Sequence, residues 1–156
     1  MSKLFSRVVA IRKNLYRLSC KFQRWRLIHI YGMDIGKNVR ISRRAVLDYS
    51  VNPRGIHIGD NTLIAGKVIV MSHDLLRNMK VDTYIGRNCF IGNASVILPG
   101  VKIGDSVVVG AGSIVTKDIA DGCMVVGNPA HVIRKGIVVS NDAHLIDKGY
   151  KTEIQS

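Results

Sequence analysis

A chain of 156 residues with 47% apolar and 22% charged residues has the composition of a folded protein with one modest core, which excludes intrinsic disorder. Its net charge of +12 is uneven, because residues 1–33 hold eight Lys and Arg residues and no acid, against 15 basic and 11 acidic residues in the remainder. The sequence contains no run of about 18 apolar residues, so no transmembrane helix is predicted. The basic residues that recur in the N-terminal segment argue against a signal peptide.

Residues 3–30 are predicted to form a helix, because apolar residues recur at alternating steps of four and three and share one stripe. We assign residues 1–31 to a basic amphipathic helical segment. Two interpretations stay open for it: packing on its own domain or a neighbouring subunit with a solvated basic face, or docking to an anionic membrane surface or another polyanion. The basic residues lack interleaved aromatics, so nucleic acid is not an expected partner. The stripe contains Leu4, Val8, Ile11, Leu15, Leu18, Phe22 and Trp25.

From residue 35 the sequence follows a six-residue period, in which glycine often follows an aliphatic anchor. A helix of 3.6 residues per turn would scatter every sixth residue around its surface, so this period is not helical. It is typical of short strands and sharp corners that stack into a β-solenoid, because one turn cannot bury its own apolar face. The anchors are Ile35, Ile41, Leu47, Ile58, Ile64, Val70, Ile85, Ile91, Ile97, Ile103, Val109 and Val115.

The period fails in residues 70–86, "VMSHDLLRNMKVDTYIG". Val70 and Ile85 are fifteen residues apart, rather than twelve or eighteen, and a solenoid absorbs such a mismatch by extending a loop outward. His73 is the histidine that stands at this interruption. Three cysteines without metal-type spacing, Cys20, Cys89 and Cys123, predict reduced and mostly buried thiols of a cytoplasmic protein, with a disulfide as the alternative.

The stretch "IGRNCFIGNASVILPGVKIGDSVVVGAGSIVTKDI", followed by "VVGNPAHVIRK", closely resembles the hexapeptide-repeat acyltransferases over roughly residues 32–135. The resemblance implies a left-handed parallel β-helix over residues 32–130, a homotrimer, and transfer of an acyl group from acyl-CoA. A C-terminal helix or tail is expected over residues 131–156. Within the family, "VMSHD" before a short loop is most similar to O-acetyltransferases of surface polysaccharide biosynthesis.

Acyl transfer from a thioester to a hydroxyl needs a base, donors for the developing oxyanion and a groove for the cofactor. His73 matches the family's catalytic histidine, and a neutral imidazole can accept the hydroxyl proton as the new bond forms. Asp74 is a candidate to support His73 electrostatically. Because adjacent residues of an extended chain point opposite ways, capping of the loop is the alternative role for Asp74. Arg77 and Lys80 in the loop are candidates to meet an anionic acceptor or the cofactor phosphates, or are simply solvated.

The resemblance also implies that acetyl-CoA, as co-substrate, lies in a groove between adjacent solenoids and is held largely by backbone groups. Lys117 and Arg134 have the charge to bind its phosphates, and the small Ala111 lets it approach the backbone. Small residues at the corners equally satisfy the repeat itself. No metal is expected. The motifs assign cofactor binding to Asn93, Ala111, Thr116, Lys117 and Arg134.

The resemblance as a whole implies an acetyl-CoA-dependent O-acetyltransferase acting on a saccharide, in the cytoplasm or peripherally at the inner face of the membrane. The alternatives are an N-acyltransferase acting on a nucleotide-linked amino sugar, since an amine needs the same base, and a non-enzymatic trimeric scaffold that binds polyanions. A zinc enzyme of the gamma carbonic anhydrase type needs three converging histidines, whereas His57 and His73 alone lie within the array. Serine acetyltransferases carry a helical N-terminal domain much larger than thirty residues. The segment "RISRRAVLDYS" offers no confident acceptor-binding residue.

Overall fold

The computed structural model describes residues 3–146 as one helix followed by short strands that wind into a parallel β-solenoid. The helix α1 spans Lys3–His29, and a short 3₁₀ turn, Pro53–Gly55, precedes the fourth strand. The strands are β1 (Asp34–Ile35), β2 (Arg40–Ile41), β3 (Val46–Leu47), β4 (Ile56–Ile58), β5 (Leu63–Ile64), β6 (Ile69–Val70), β7 (His73–Asp74), β8 (Met79–Lys80), β9 (Thr83–Ile85), β10 (Phe90–Ile91), β11 (Val96–Ile97), β12 (Lys102–Ile103), β13 (Val108–Val109), β14 (Ile114–Val115), β15 (Met124–Val126) and β16 (His131–Arg134).

Three sheets form the sides of the solenoid. Sheet A contains β1, β4, β9 and β12, sheet B contains β2, β5, β10, β13, β15 and β16, and sheet C contains β3, β6, β11 and β14. Each full coil therefore gives one strand to each sheet: coil 1 (34–47), coil 2 (56–70), coil 3 (83–97) and coil 4 (102–115). Pairing between coils is parallel, and the aliphatic anchors pair with one another, as in Leu47 with Val70 and Val70 with Ile97. The predicted six-residue register is confirmed.

Alternation along each strand separates the core from the surface. The anchor of each pair points inward and is buried, while the residue before it faces outward. The residue four positions after most anchors is also buried, and at several of these positions it is small and polar, as at Thr62, Ser95 and Ser113. Thr62, for example, donates its hydroxyl to the Gly86 carbonyl at 2.8 Å and accepts the Cys89 amide at 3.0 Å. The hydroxyl thus joins coil 2 to coil 3 inside the core.

The corners between sheets A and B require a left-handed backbone. Asn38, Asn61 and Asn88 occupy equivalent corners with φ values of 55°, 59° and 53°, a conformation that asparagine tolerates better than most residues. Their side chains form a ladder, because Asn38 donates to Asn61 at 3.2 Å and Asn61 donates to Asn88 at 3.1 Å. The corner residue and the contact between coils are therefore selected together.

The predicted outward loop is confirmed. Between β6 and β9 the chain leaves the solenoid as a hairpin, in which β7 and β8 pair antiparallel and His73 lies opposite Lys80. The tip of the hairpin is well exposed, with Leu76 at 95% exposure. The extra residues that break the register are thus placed outside the coils.

The described part of the C-terminal segment is a tail and contains no helix within residues 131–146. β16 pairs antiparallel with β15 at the end of sheet B. The tail then covers the outer face of sheet B, where Ile137, Val139 and Ala143 cluster with Met124. Residues 147–156, the remainder of the predicted 131–156 segment, lie outside the described residues.

α1 contacts the solenoid with the face opposite to its predicted apolar stripe. Leu27 is buried, Arg24 Nη2 donates to the Gly36 carbonyl at 2.7 Å, and the Tyr16 hydroxyl lies 3.4 Å from Ser42 Oγ. The stripe faces away, and each of its described side chains is at least half exposed. These side chains are Val8, Ile11, Leu15, Leu18, Phe22 and Trp25.

Candidate active site

His73 contacts a buried carboxylate from the neighbouring coil. His73 follows β6 at the corner between sheets C and A, and its Nδ1 is hydrogen-bonded to Oδ2 of Asp48, which follows β3 at the same corner of coil 1. The parallel register sets this meeting, since Leu47 pairs with Val70 and the Asp48 amide donates to the Val70 carbonyl at 3.0 Å. We assign the Nδ1–H tautomer from this contact. The lone pair of a neutral imidazole then lies on Nε2, away from Asp48.

The Asp48 carboxylate is held ionised by several donors. Its side chain is 3% exposed, and its oxygens accept hydrogen bonds from the Ser72 amide and the Val51 amide, both at 3.3 Å. Burial raises the pKa of Asp48, but the hydrogen bonds from His73, Val51 and Ser72 together outweigh burial and leave the pKa below its ordinary value. Asp48 is therefore an anion beside His73 at neutral pH.

Ser72 and its neighbours fix the backbone that carries His73. The Ser72 hydroxyl lies 2.6 Å from the Asn52 carbonyl and 3.1 Å from Asp48 Oδ2, and the Asn52 amide group donates back to the Ser72 carbonyl at 2.8 Å. The carbonyl of Met71, the residue before Ser72, accepts a hydrogen bond from the Thr83 hydroxyl at 2.6 Å. The imidazole therefore stands on backbone that is tied to coil 1 on one side and to coil 3 on the other.

Asp74 serves the hairpin rather than the imidazole in this structure. Its Oδ1 accepts the amides of Leu76 and Arg77 at 3.0 and 3.1 Å, and its other oxygen lies 3.7 Å from Arg77 Nε. These contacts are those of an aspartate that caps a turn. They agree with the capping role that the sequence allowed for Asp74, and the carboxylate that contacts His73 belongs to Asp48. Arg77 and Lys80 are exposed on the hairpin.

The predicted cofactor residues lie on both edges of sheet C. Asn93 and Ala111 are exposed at equivalent positions of the corner between sheets B and C, in coils 3 and 4. Asn93 Oδ1 accepts the Gly66 amide at 2.8 Å, and the Asn93 carbonyl accepts the Gly112 amide at 2.8 Å. Thr116 and Lys117 are exposed at the opposite edge, on the corner that also carries His73. One chain does not bring these two groups onto a single edge.

The remaining predicted cofactor residue, Arg134, is half-buried at the end of β16 in sheet B. Next to Ala111 the backbone is open at Gly112, around which no atom would meet an added Cβ within 4 Å. The residues present therefore fit a long cofactor held by backbone groups, with Lys117 and Arg134, at the C-terminal end of the solenoid, as the cations for its phosphates.

His57 occupies a separate polar cluster on sheet A. As predicted, it points out of its strand, with Nδ1 3.2 Å from Asp34, Nε2 3.4 Å from Asp82, and its ring stacked on Tyr84 at 4.4 Å between centroids. His57 is thus engaged away from His73. Within residues 3–146, no three His, Cys, Asp or Glu side chains are placed to hold a metal ion together.

Asp48 is the residue of the candidate site that sequence reasoning missed. It lies in "RISRRAVLDYS", 25 residues before His73, and no local motif marks it. The signal was available in the repeat register: Leu47 and Val70 are both anchors, so the residues that follow them share a corner. Placing the anchors of coils 1 and 2 side by side, despite the offset at residues 51–55, would have brought Asp48 next to Ser72 and His73.

Comparisons with known proteins agree with this architecture. The sequence profile for the bacterial transferase hexapeptide (six repeats) matches residues 82–117. Galactoside O-acetyltransferase from Escherichia coli (strain K12) is 39% identical over 130 residues, which cover 76% of this chain and 63% of that enzyme. Putative acetyltransferase YvoF from Bacillus subtilis (strain 168) is 32% identical, with 84% of this chain and 77% of the relative covered. This chain thus spans less than two thirds of the E. coli relative.

A solved structure of galactoside acetyltransferase in complex with coenzyme A is 31% identical, covers 90% of this chain and 89% of that chain, and has a TM-score of 0.57. The chain belongs to the family of hexapeptide-repeat acetyltransferases. The expected left-handed parallel β-helix with an N-terminal helix is confirmed.

Proposed function

We propose that this protein is an acetyl-CoA-dependent O-acetyltransferase that acts on a hydroxyl of a saccharide. The observation that carries the proposal is the His73–Asp48 pair, which places an imidazole with a free Nε2 lone pair at the one interruption between coils 2 and 3. The galactoside acetyltransferase relatives, one of them solved with coenzyme A, support the thioester donor and the sugar acceptor. The saccharide belongs, in this proposal, to surface polysaccharide biosynthesis in the cytoplasm.

His73 is the general base in the proposed mechanism. Its Nε2 takes the proton of the acceptor hydroxyl while that oxygen forms a bond to the thioester carbonyl carbon. The imidazolium then returns the proton to the sulfur as the carbon–sulfur bond breaks, so that the products are the acetyl ester and free CoA. Asp48 accepts a hydrogen bond from Nδ1–H throughout the reaction. It stabilises the imidazolium, because its carboxylate is buried and ionised beside the ring.

A homotrimer completes the proposed cofactor groove. Asn93 and Ala111 on one edge of sheet C, and His73 and Lys117 on the other, would face each other across a contact between two chains. The outer face of sheet C supports such a contact, since its outward residues are aliphatic in all four coils and two of them are clearly exposed. These residues are Val46, Ile69, Val96 and Ile114. Aliphatic side chains on an outer face are typical of an interface between subunits.

Substitution of His73 tests the proposal. The rate of CoA release from acetyl-CoA with a galactoside acceptor is expected to fall by about 10²- to 10⁴-fold in His73→Ala, the usual contribution of a general base. His57→Ala is the matched control, because His57 is also flanked by carboxylates but lies on sheet A. Undiminished turnover in His73→Ala, with the fold and CoA binding retained, would disprove the assignment of the base.

Peripheral contact of residues 1–30 with an anionic membrane surface is part of the proposal. The exposed stripe of α1 points away from the solenoid, and every charged residue of α1 is basic. Within residues 3–146, no helix is long and apolar enough to cross a membrane. Trp25, the single tryptophan of the chain, lies in this stripe and is 50% exposed. Its emission is expected to shift to shorter wavelength with anionic vesicles and not with neutral ones; equal spectra with both would contradict the contact.

A further inference from the structure

A large cleft separates α1 from the lower coils at the corner between sheets B and C. Its volume is about 1460 Å³, and its walls are the middle of α1 on one side and the corner residues of coils 1–3 on the other. Ser42, Gly66 and Asn93 mark the three stacked corners in this wall. The volume exceeds that of a pocket for one small molecule, which is usually about 300–1,000 Å³.

The cleft is strongly cationic. Six basic side chains line it and no acidic residue does so within residues 3–146. None of the six forms an ion pair with a carboxylate in the described part of the chain, although Arg24 and Arg40 each donate to a backbone carbonyl. The six are Arg17, Lys21, Arg24, Arg40, Arg43 and Arg44. Like charges gathered without a counter-charge favour an anionic ligand.

The cleft also adjoins the proposed path of the cofactor. Asn93, which the resemblance assigns to cofactor binding, forms part of the cleft wall. The proposed phosphate partners lie at the other end of the solenoid, Lys117 just after β14 and Arg134 at the end of β16. The cations of the cleft belong to α1 and coil 1 instead. These cations and the residues proposed to bind the CoA phosphates therefore lie at opposite ends of the solenoid. An anion that binds in the cleft is thus a group other than the CoA phosphates.

We propose that this cleft binds the phosphate or diphosphate group of a phosphorylated saccharide acceptor. Guanidinium groups bind phosphate oxygens through paired, charge-assisted hydrogen bonds, and five of the six cleft cations are arginines. The phosphate can be carried by a lipid or by a nucleotide, since both present the same oxygens. This inference rests on the proposed acetyltransferase function and specifies its substrate class.

A panel of acceptors tests the substrate class. The panel contains methyl β-galactoside, galactose 1-phosphate, UDP-galactose and farnesyl diphosphogalactose, assayed by CoA release. The double variant Arg43→Gln/Arg44→Gln is expected to lower the ratio of kcat/KM for phosphorylated over neutral acceptors by about 10- to 100-fold. The exposed Arg54, outside the cleft, provides the control Arg54→Gln, with the ratio unchanged. A preference for the farnesyl or the uridine compound identifies the carrier.

An unchanged ratio in the double variant, or a rise in the KM of acetyl-CoA instead, would overturn the inference. Labelling of Cys20 gives a readout that does not depend on activity, because this half-buried thiol lines the cleft. Inorganic pyrophosphate is expected to slow labelling of Cys20 in the wild type and in Lys117→Ala, but not in the double variant. Absence of protection in the wild type refutes the cleft as a phosphate site even if galactosides are acetylated. Protection without any acetyl transfer supports the site and counts against the proposed function alone.

Discussion

Replacement of Asp48 by Asn separates the charge of the carboxylate from its shape. In the wild type, Oδ2 accepts from His73 Nδ1 and from the Ser72 amide, while Oδ1 accepts from the Val51 amide. An asparagine that keeps its oxygen towards His73 preserves the bonds from His73 and Ser72, but it turns an NH₂ group towards the Val51 amide and removes the negative charge. The variant therefore keeps the imidazole oriented while it loses the partner of the imidazolium.

The expected loss of activity follows from the strength of that partner. A hydrogen bond to a charged group contributes about 1.5–3 kcal/mol, which corresponds to roughly a 10- to 150-fold fall in kcat. Initial rates of CoA release at saturating acetyl-CoA measure kcat, and the KM of acetyl-CoA is expected to change little. Asp74→Asn is the matched comparison, because its remaining oxygen can still cap the hairpin. A kcat of Asp48→Asn within twofold of the wild type would refute the electrostatic role of Asp48.

The same variant has a signature in the pH dependence of stability. The pKa of Asp48 is lowered from 3.8 in the folded protein, so its ionised form stabilises the fold above that value. This contribution is lost as the pH falls through the folded-state pKa. The difference in free energy of unfolding between wild type and Asp48→Asn, measured with urea, is therefore expected to be constant near neutral pH and to shrink below about pH 4. A difference that grows on acidification would contradict the assigned direction.

Three further experiments test the solenoid. Gly92→Ala is expected to destabilise the fold by about 1–3 kcal/mol, because the added Cβ would lie 2.6 Å from a carbonyl oxygen of the next coil. Gly112→Asn should cost less than about 1 kcal/mol, because the space around Gly112 is open and asparagine tolerates its φ of +69°. Urea denaturation measures both changes in the free energy of unfolding. Burial raises the pKa of the Cys89 thiol to about 12, so a thiol reagent at pH 8 should label Cys20 in the native protein and Cys89 after unfolding; rapid native labelling of Cys89 would be inconsistent with its burial. Ile69→Asp on the outer face of sheet C should abolish both the proposed trimer and acetyl transfer, as sedimentation and CoA release would show; an active monomer would rule out a shared groove.

The sequence predicted what depends on local periodicity and missed what depends on side-chain contacts between coils. The anchors, the corners and the hairpin at residues 71–82 all follow from counting along the chain, because each coil repeats the same backbone geometry. Asp48 was missed because its contact with His73 appears only when the anchors Leu47 and Val70 are aligned across the offset at residues 51–55. The orientation of α1 was equally out of reach: periodicity located an apolar stripe, but only the packing of Leu27 and Arg24 shows that this stripe faces away from the solenoid.

The three outer faces of the solenoid differ in chemistry, and this difference limits where a partner can bind. Sheet B is covered by the chain's own tail, with Ile137 and Val139 packed on it. Sheet A presents the polar ladder of Asp34, His57 and Tyr84, whose side chains bind one another. Sheet C has outward aliphatic side chains, two of them clearly exposed, between the edge that carries Asn93 and the edge that carries His73. In the proposed trimer, a contact through sheet C would bring one chain's His73 to another chain's Asn93.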